Sequence, residues 1–561
     1  MPVMSASRPP SHSRSVIDGR RIRLAALAFI GGFSVIAMRL TTLAVFPPED
    51  YGQVVRAAEE VGKPRPDILD RNGQVLATDI QVASLFADPR RVLDIEDSVD
   101  QLSMVLPDID AKTVRRRLGL KKSFVWLERG LTPKQQSDIH NLGLPGFGFI
   151  SETRRVYPAG RTLSHLVGHV DVDNVGMAGM EKHIDDRNPF AKIGLSARVK
   201  PAPFKLAVDV RVQHSLRDEL EKAMKKFSAI AAAGVILDAK SGEVVAMSSL
   251  PDYDPHVPKE ALIPNRINRI GKGVFELGSM FKTYTVAMGL DSGKVGLEGG
   301  YDASHPIRVG RFRIRDFHGK HRYLTIPEIF IYSSNIGAAK IALDVGIDGH
   351  KAFMKKLGLL DRVVTELPES ARPLVPNPWR PVNTMTIAFG HGLGVTPLQA
   401  AAAGAALVNG GKLMIPTFLP RTPQEASILA KQVIKPETSD AMRYLMRLNG
   451  VKGTGRRAQV EGYRVGGKTG TAEKASRNGY QRNKLLNTFI ATFPTDDPQY
   501  VVLILLDEPK GTKETFGHAT SGWNTAPTVA NIIRRVAPML GVERDDDMEA
   551  DGAELLLAAV N

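Results

Sequence analysis

The chain has 561 residues, of which 43% are hydrophobic and none is cysteine, and its formal net charge at pH 7 is +14. Such a length exceeds what one hydrophobic core usually holds, and this much apolar sequence excludes disorder throughout. The lack of cysteine excludes disulfide bonds, thiolate metal ligands and a cysteine nucleophile. Despite the positive charge, the sequence has no recognised nucleic-acid-binding motif and no basic stripe with interleaved aromatic residues, so we expect no nucleic-acid partner.

The N-terminus carries a basic segment followed by an apolar one. Five arginines lie within residues 1–23, and the mainly apolar run 24–46 contains one charge, Arg39, before it ends at a pair of prolines. As a helix this run is long enough to cross a bilayer. By the positive-inside rule, residues 1–23 should stay cytoplasmic and the bulk of the chain should lie outside. We predict an uncleaved signal anchor over 24–46; the alternatives are a cleaved signal peptide and a buried soluble helix.

Residues 50–203 read as short strands and turns with a few helices, and we predict a separate, elongated mixed domain without catalytic residues. The periodicity predicts helices over 99–106 and 133–141. His165 and His169 have the spacing of metal ligands, but the stretch between them reads as a strand and no carboxylate pattern completes a site, so we expect no metal.

Residues 204–540 are predicted to form the catalytic domain, and 541–561 an acidic, flexible tail. The predicted strands are 232–237, 243–248, 463–472, 487–493 and 500–506, with helices over 212–227 and 525–537. Most of the helical sequence falls between the second and third strands. This pattern predicts an α+β fold, in which a five-stranded antiparallel sheet carries helices on both faces.

Ser279 and Lys282 stand three residues apart. In a helix that begins near Gly278 both side chains would share one face. A lysine can take the proton of a serine hydroxyl only where burial or a second cation keeps the amine neutral. The first backbone N–H groups of the helix would also stabilise an oxyanion beside Ser279. We therefore interpret the pair as a nucleophile and its base, although an isolated Ser-x-x-Lys is most often exposed helix surface.

Two further motifs follow in a characteristic order. They are Ser333-Ser334-Asn335 and, on a predicted strand, Lys468-Thr469-Gly470-Thr471. Ser-x-x-Lys, Ser-x-Asn and Lys-Thr-Gly in this order are typical of serine acyltransferases that react with penicillin. At Gly470 we expect that a side chain would block a substrate lying along the strand. Each motif is weak alone, but order and local setting together make the signal specific.

With these motifs the chain resembles the class B penicillin-binding proteins, and among them the division-specific, septal peptidoglycan D,D-transpeptidases. The likeness covers nearly the whole chain after the N-terminal tail. Further matching segments are 68–73, 155–158 and 176–181 in the non-catalytic domain, and 242–247, 251–255, 390–399 and 522–527 in the catalytic one. Leu277 departs from the proline that the family often has before Gly-Ser, and this departure does not touch the chemistry.

The resemblance implies a role for each motif residue. Ser279 would be acylated by the penultimate D-alanine of a stem pentapeptide, with Lys282 as base. Ser333 would relay a proton to the departing D-alanine, and Asn335 would bind the donor peptide. Lys468, Thr469 and Thr471 would bind the terminal carboxylate, and the backbone N–H groups of Ser279 and Thr471 would form the oxyanion hole. No cofactor or metal is implied, and β-lactams would acylate the same serine.

The resemblance also implies partners and a location. We expect the catalytic domain in the periplasm, tethered to the inner membrane and acting at the division septum. A membrane glycan polymerase of the SEDS family and other division proteins would be its partners. We expect Arg155→Glu or Glu181→Lys to uncouple division while leaving penicillin labelling intact. The alternatives are an elongation-specific transpeptidase, a β-lactamase or D,D-carboxypeptidase, and a non-catalytic scaffold that senses penicillin.

Overall fold

The computed structural model describes residues 19–45, 64–187, 201–310, 312–476 and 479–545. The helices are α1 (Gly19–Val45), α2 (Ile95–Val105), α3 (Ala111–Leu118), α4 (Pro133–Asn141), α5 (Ser164–Val167), α6 (Gly179–Arg187), α7 (Val210–Lys226), α8 (Lys282–Asp291), α9 (Ile326–Ile331), α10 (Asn335–Lys356), α11 (Pro381–Ile387), α12 (Pro397–Ala406), α13 (Pro423–Leu429), α14 (Pro436–Lys452) and α15 (Thr525–Met539).

The strands are β1 (Ile68–Leu69), β2 (Val75–Ala87), β3 (Val125–Leu131), β4 (Phe147–Val156), β5 (His169–Val170), β6 (Gly176–Ala178), β7 (Phe204–Lys205), β8 (Ala231–Asp238), β9 (Val244–Leu250), β10 (Gly300–Asp302), β11 (Ile307–Val309), β12 (Phe312–Ile314), β13 (Tyr323–Thr325), β14 (Lys412–Leu413), β15 (Lys431–Gln432), β16 (Gly466–Ser476), β17 (Gly479–Phe493) and β18 (Tyr500–Asp507). The chain forms two compact units, one of Met1–Gly62 with Gln81–Thr153 and one of Lys63–Ile80 with Arg154–Asn561. The predicted domain limits, 50–203 and 204–540, stay a prediction.

The larger unit is built on a five-stranded sheet in the order β16–β17–β18–β8–β9, in which every neighbouring pair is antiparallel. This confirms the predicted fold class and places the Lys-Thr-Gly strand β16 at the edge. Strands β16 and β17 extend beyond the predicted 463–472 and 487–493 into a long hairpin. Residues 479–484 of that hairpin are exposed and polar, so no alternation of apolar residues marked them as strand.

Helices cover both faces of this sheet. On one face α7 and α15 bury Leu216, Leu220 and Ile533 against the strands, and the apolar positions recur at helical spacing. On the other face lie α8 and α12, where the Tyr284 hydroxyl donates to the Ala400 carbonyl at 2.7 Å. Residues 282–289 of α8 are all buried. A helix enclosed in this way holds its N-terminal residues in a fixed place.

The smaller unit has its own core within Gln81–Thr153. Helices α2, α3 and α4 pack there against β2 and β3 through the buried residues Leu85, Val99, Leu102, Val114, Leu127 and Ile139. The helices predicted over 99–106 and 133–141 are both present. Helix α2 begins earlier than predicted because Asp94 caps it by accepting a hydrogen bond from the Asp97 amide.

A buried network of charges lies in the part of the larger unit formed by Lys63–Ile80 and the residues from Arg154. The Arg155 and Arg65 guanidiniums donate to the two oxygens of Glu181 at 2.7 and 2.9 Å, and Arg155 also binds Asp79 at 3.0 Å. The side chains of Arg155 and Glu181 are fully buried. They therefore have no surface to offer a partner, and reversal of either charge should disrupt the fold instead of uncoupling division.

His165 and His169 both pack edge-on against one side chain, Tyr253. Residues 164–167 form the short helix α5, not the strand expected there, and Gly168 ends it with φ 81°. The Tyr253 hydroxyl donates to the Ser164 carbonyl at 2.8 Å. His169 Nδ1 also lies within hydrogen-bond distance of the Tyr253 hydroxyl, at 3.2 Å. Both imidazoles thus pack around a buried tyrosine, and one of them also bonds to it.

Helix α1 contains a segment, Arg23–Thr42, with mean hydropathy 1.8 and no residue buried against protein. By length and composition it can cross a membrane, as predicted for residues 24–46. The rest of the basic tail and residues 546–561 of the acidic tail lie outside the described residues.

Candidate active site

Ser279 lies in a single 3₁₀ turn, Gly278–Phe281, that leads directly into α8. In a 3₁₀ turn residues three apart eclipse each other, which brings Lys282 Nζ to 2.8 Å from Ser279 Oγ. The predicted helix therefore begins as a tighter turn, and the predicted pairing is present. Gly278 has φ 59°, and a Cβ there would come within 2.6 Å of the Thr471 carbonyl oxygen, so glycine alone fits where this turn crosses β16.

The Lys282 amine sits at the centre of four contacts. Besides Ser279 it reaches the Ser333 carbonyl at 2.7 Å, the Ser333 hydroxyl at 3.0 Å and Asn335 Oδ1 at 2.7 Å. Asn335 Nδ2 donates to the Arg315 carbonyl at 2.9 Å, which fixes the orientation of the amide. A neutral amine has two protons and one lone pair; the two short contacts to Ser333 and Asn335 use the protons, and the lone pair is left for the Ser279 hydroxyl.

Burial favours this neutral form. Lys282 and Lys468 are both fully buried. Burial lowers the pKa of Lys282 well below its usual value, and the charge of Lys468 lowers that pKa further. Burial also lowers the pKa of Lys468 to about 7. Desolvation is thus the largest cause of the lowered pKa of Lys282, and the charge of Lys468 is the smaller one.

Ser333 lies between the two amines. Its hydroxyl oxygen is 3.0 Å from Lys282 Nζ and 3.1 Å from Lys468 Nζ. The residue has φ 58°, a backbone conformation that serine rarely adopts outside turns and functional sites. A hydroxyl held in this position can pass a proton between either amine and a third group.

Asp316 also belongs to the site, although no sequence motif marks it. Its carboxylate accepts from the Ser334 hydroxyl at 2.7 Å and from the Ile336 amide at 2.9 Å. These bonds fix the turn that carries Ser333 and the first residues of α10. The negative charge of Asp316 also raises the pKa of Lys282, against the effect of burial. An isolated aspartate in a loop, far from any motif in sequence, carries no distinguishing signal.

Residues 468–471 are held in place by hydrogen bonds to two other segments. Thr469 Oγ1 donates to Thr454 Oγ1 at 2.7 Å, and the Ser521 amide donates to Thr471 Oγ1 at 3.2 Å. The structure shows a packing reason for Gly470. A Cβ there would overlap the Thr488 hydroxyl and the Leu277 carbonyl, so glycine is needed for packing beneath the strand, and its expected role in admitting a substrate stays a prediction.

A second supporting group lies in the segment 390–399, which matched the family without an assigned role. A Cβ at Gly390 would overlap the Gly278 carbonyl, and the Gly278 amide donates to the Gly390 carbonyl at 3.2 Å. Nearby, Glu276 accepts from the Gly392 amide at 2.9 Å and from the Tyr480 hydroxyl at 3.0 Å. The β16–β17 hairpin is thereby joined to the segment just before Ser279.

Comparison with known proteins agrees with this geometry. A model of the penicillin binding protein transpeptidase domain matches residues 232–534, and a model of the penicillin-binding protein dimerisation domain matches residues 60–187. The chain belongs to the penicillin-binding protein transpeptidase family. The predicted family and the predicted class of enzyme, a transpeptidase, are both confirmed.

Curated relatives cover almost the full length of this penicillin-binding protein. It is 39% identical over 543 residues to the probable peptidoglycan D,D-transpeptidase FtsI of Caulobacter vibrioides, across 95% of this chain and 90% of that protein. It is 29% identical over 575 residues to the peptidoglycan D,D-transpeptidase FtsI of Escherichia coli strain K12, across 95% and 93%. It is 34% identical over 516 residues to the stage V sporulation protein D of Bacillus subtilis, across 85% and 79%.

Proposed function

We propose that this penicillin-binding protein is a peptidoglycan D,D-transpeptidase of the division septum and that Ser279 is its nucleophile. The observation that carries the proposal is the Lys282 amine, whose two short hydrogen bonds to Ser333 and Asn335 leave its lone pair for the Ser279 hydroxyl. The names of the Caulobacter and Escherichia relatives support the peptidoglycan substrate.

In the first half-reaction, Lys282 takes the Ser279 proton as the oxygen attacks the carbonyl of the penultimate D-alanine. The backbone N–H groups of Ser279 and Thr471 bind the oxyanion. As the intermediate collapses, Ser333 gives its proton to the leaving D-alanine amine and recovers one from Lys282. The products are a serine ester, free D-alanine and a neutral Lys282.

In the second half-reaction, an amine of a neighbouring stem peptide attacks the ester. The same groups act in reverse: a proton leaves the attacking amine through Ser333 and Lys282, and Ser279 regains its hydroxyl proton. The result is an amide cross-link between two stems. The same ester forms when the strained amide of a β-lactam opens on Ser279.

Lys468, Thr469 and Thr471 bind the terminal carboxylate of the donor peptide in this proposal, and the donor lies along the free edge of β16. Because burial lowers the pKa of Lys468 to about 7, a bound carboxylate favours its ammonium form. The two charges then form an ion pair that holds the donor peptide beside Ser279.

The location and partners are proposed on other grounds. Helix α1 would anchor the protein in the inner membrane as a single span, with the larger unit in the periplasm. A SEDS-family polymerase is proposed as the supplier of glycan strands, because the matched catalytic model is a transpeptidase domain and cross-linking needs strands to join. The elongation-specific role is the alternative, and midcell localisation of a fluorescent fusion separates the two.

The deciding experiment is mass spectrometry of the protein after exposure to benzylpenicillin. A stable adduct on Ser279 that disappears in Ser279→Ala supports the proposal, and an adduct elsewhere refutes it. Incubation with a stem pentapeptide and an amine then shows whether the acyl enzyme reacts with the amine or with water. Release of D-alanine with a cross-linked product indicates transpeptidation, whereas release with a free tetrapeptide indicates a carboxypeptidase.

A further inference from the structure

A cavity of about 550 Å³ opens between α7 and α15. This volume lies in the range of about 300–1,000 Å³ that is typical of sites for small ligands. Its lining includes Arg457, Phe516 and Trp523, together with Lys222, Lys226 and the buried Glu219. None of them belongs to the active site described above.

The walls of the cavity are aromatic. The Arg457 guanidinium lies 3.4 Å from the ring centre of Trp523, and the His518 ring stacks on the same tryptophan at 5.0 Å. Phe516 meets Trp523 edge-on at 6.0 Å, yet 81% of Phe516 is exposed. Its φ of 51° is unfavourable for a bulky residue. The loop thus holds an apolar ring in solvent at the mouth of the cavity.

Among the described residues that line the cavity, the Arg457 guanidinium is a cation without a carboxylate beside it. Lys222 is paired with Asp218 and Glu219, and Lys226 is paired with Glu514. Within the described part of the chain, Arg457 has no carboxylate partner, and its contact is the face of Trp523. A guanidinium offers a planar set of donors that matches a carboxylate. Arg457 can therefore accept a carboxylate from a ligand in the cavity.

Both walls connect to the strand that carries the Lys-Thr-Gly motif. Arg457 follows Thr454 by three residues, and Thr454 accepts the hydrogen bond from Thr469 at 2.7 Å. Trp523 ends the 3₁₀ turn Ser521–Trp523, whose first amide donates to Thr471 at 3.2 Å. A ligand that shifts either wall acts directly on the threonines of β16.

We propose that this cavity binds a short acidic peptide, with one carboxylate on Arg457 and an apolar side chain against Phe516 and Trp523, and that occupancy alters the rate at which Ser279 is acylated. A single carboxylate suits the single free guanidinium. The side-chain amide of Asn531 also lines the cavity and can donate to a peptide carbonyl. The effect on acylation rests on the proposed function, whereas binding of the peptide does not.

Two sources have this chemistry. One is a stem peptide of the cell wall, which carries free carboxylates. The other is the acidic segment 546–561 of this chain, which includes three consecutive leucines at 555–557. The experiment has one arm for each: a synthetic stem tetrapeptide and a synthetic peptide of residues 546–561, each titrated into the full-length protein in detergent.

Binding is read from the fluorescence of Trp523, with Trp523→Phe identifying the signal of the other tryptophans. We expect at least one peptide to bind, and Arg457→Gln to weaken binding by about tenfold, because a charged hydrogen bond is lost. Arg456→Gln, at the exposed neighbouring position, should stay within about twofold. Phe516→Ser, which removes an exposed ring, provides a second variant that should weaken binding without affecting folding.

The proposal is overturned if neither peptide binds, or if Arg457→Gln and Phe516→Ser bind as the wild type does. The titration is repeated in Ser279→Ala, because binding does not require acylation. Intact binding with no penicillin adduct on Ser279 in the wild type would refute the proposed function and leave the cavity site standing. If a peptide binds but the acylation rate of Ser279 stays unchanged, the proposed effect of the cavity on the active site is refuted.

Discussion

Lys282 and Lys468 direct their side-chain nitrogens at one oxygen atom, the Ser333 hydroxyl, at 3.0 and 3.1 Å. Two ammonium groups so close would repel each other, and burial adds to the cost of charging either. The pair therefore titrates as a unit in which protonation of one amine disfavours protonation of the other. The rate at which Ser279 is acylated should therefore depend on the charge state of this pair.

The first prediction concerns pH. Acylation by a fluorescent penicillin should slow as pH falls, because Lys282 must be neutral to act as base and its lowered pKa sets the acid limb. Lys468→Met removes the charge that lowers this pKa, so the limb should move to higher pH. The plateau rate should also fall roughly 10- to 100-fold, since a charged hydrogen bond contributes about 1.5–3 kcal/mol. If the acid limb of Lys468→Met stayed at the pH of the wild type, the influence of Lys468 on the pKa of Lys282 would be contradicted.

Asp316→Asn should move the same limb in the opposite direction. The carboxylate raises the pKa of Lys282, so its neutralisation should lower that pKa and shift the limb to lower pH. The rate at the plateau should fall by about tenfold, because the amide cannot keep both hydrogen bonds to Ser334 and Ile336. Asp348→Asn, at an exposed position of α10, is the control and should match the wild type at every pH.

Gly470→Ala should destabilise the protein by about 1–3 kcal/mol, because the new methyl group overlaps Thr488 and the Leu277 carbonyl. The measurement is thermal unfolding, with penicillin labelling in parallel. If the glycine served only to admit a substrate, the variant would unfold as the wild type does and lose labelling alone. That outcome would refute the packing explanation.

Arg155→Glu should abolish both folding and penicillin labelling. The substitution removes the partner of Glu181 and adds a carboxylate inside a buried network, and breaking a buried pair costs about 3–5 kcal/mol. Arg154→Glu, at the exposed adjacent position, should fold and label normally. Soluble, fully labelled Arg155→Glu protein with a division defect would instead restore the role in a partner contact.

The sequence predicted those parts of the site whose signal is local. The sheet follows from runs of apolar residues, and the pairing of Ser279 with Lys282 follows from a spacing of three. Asp316 and Gly390 reach the site only because segments distant in sequence meet there, and single residues without periodicity carry no such information. Glu276 is close to Ser279 in sequence, but its role depends on contacts with the distant Gly392 and Tyr480. The burial of Arg155 was missed for a related reason: an arginine is usually exposed, and only its buried acidic partners make the interior position tolerable.

The close approach of bare backbone around Gly278 limits how this enzyme can change over generations. The Gly390 and Thr471 backbones abut the turn that carries the nucleophile, leaving no room there for an extra carbon atom. Substitutions at Gly278 and Gly390 should therefore be rare among functional descendants of this chain. Change beside the nucleophile should instead accumulate at positions that already carry a side chain, as at Leu277.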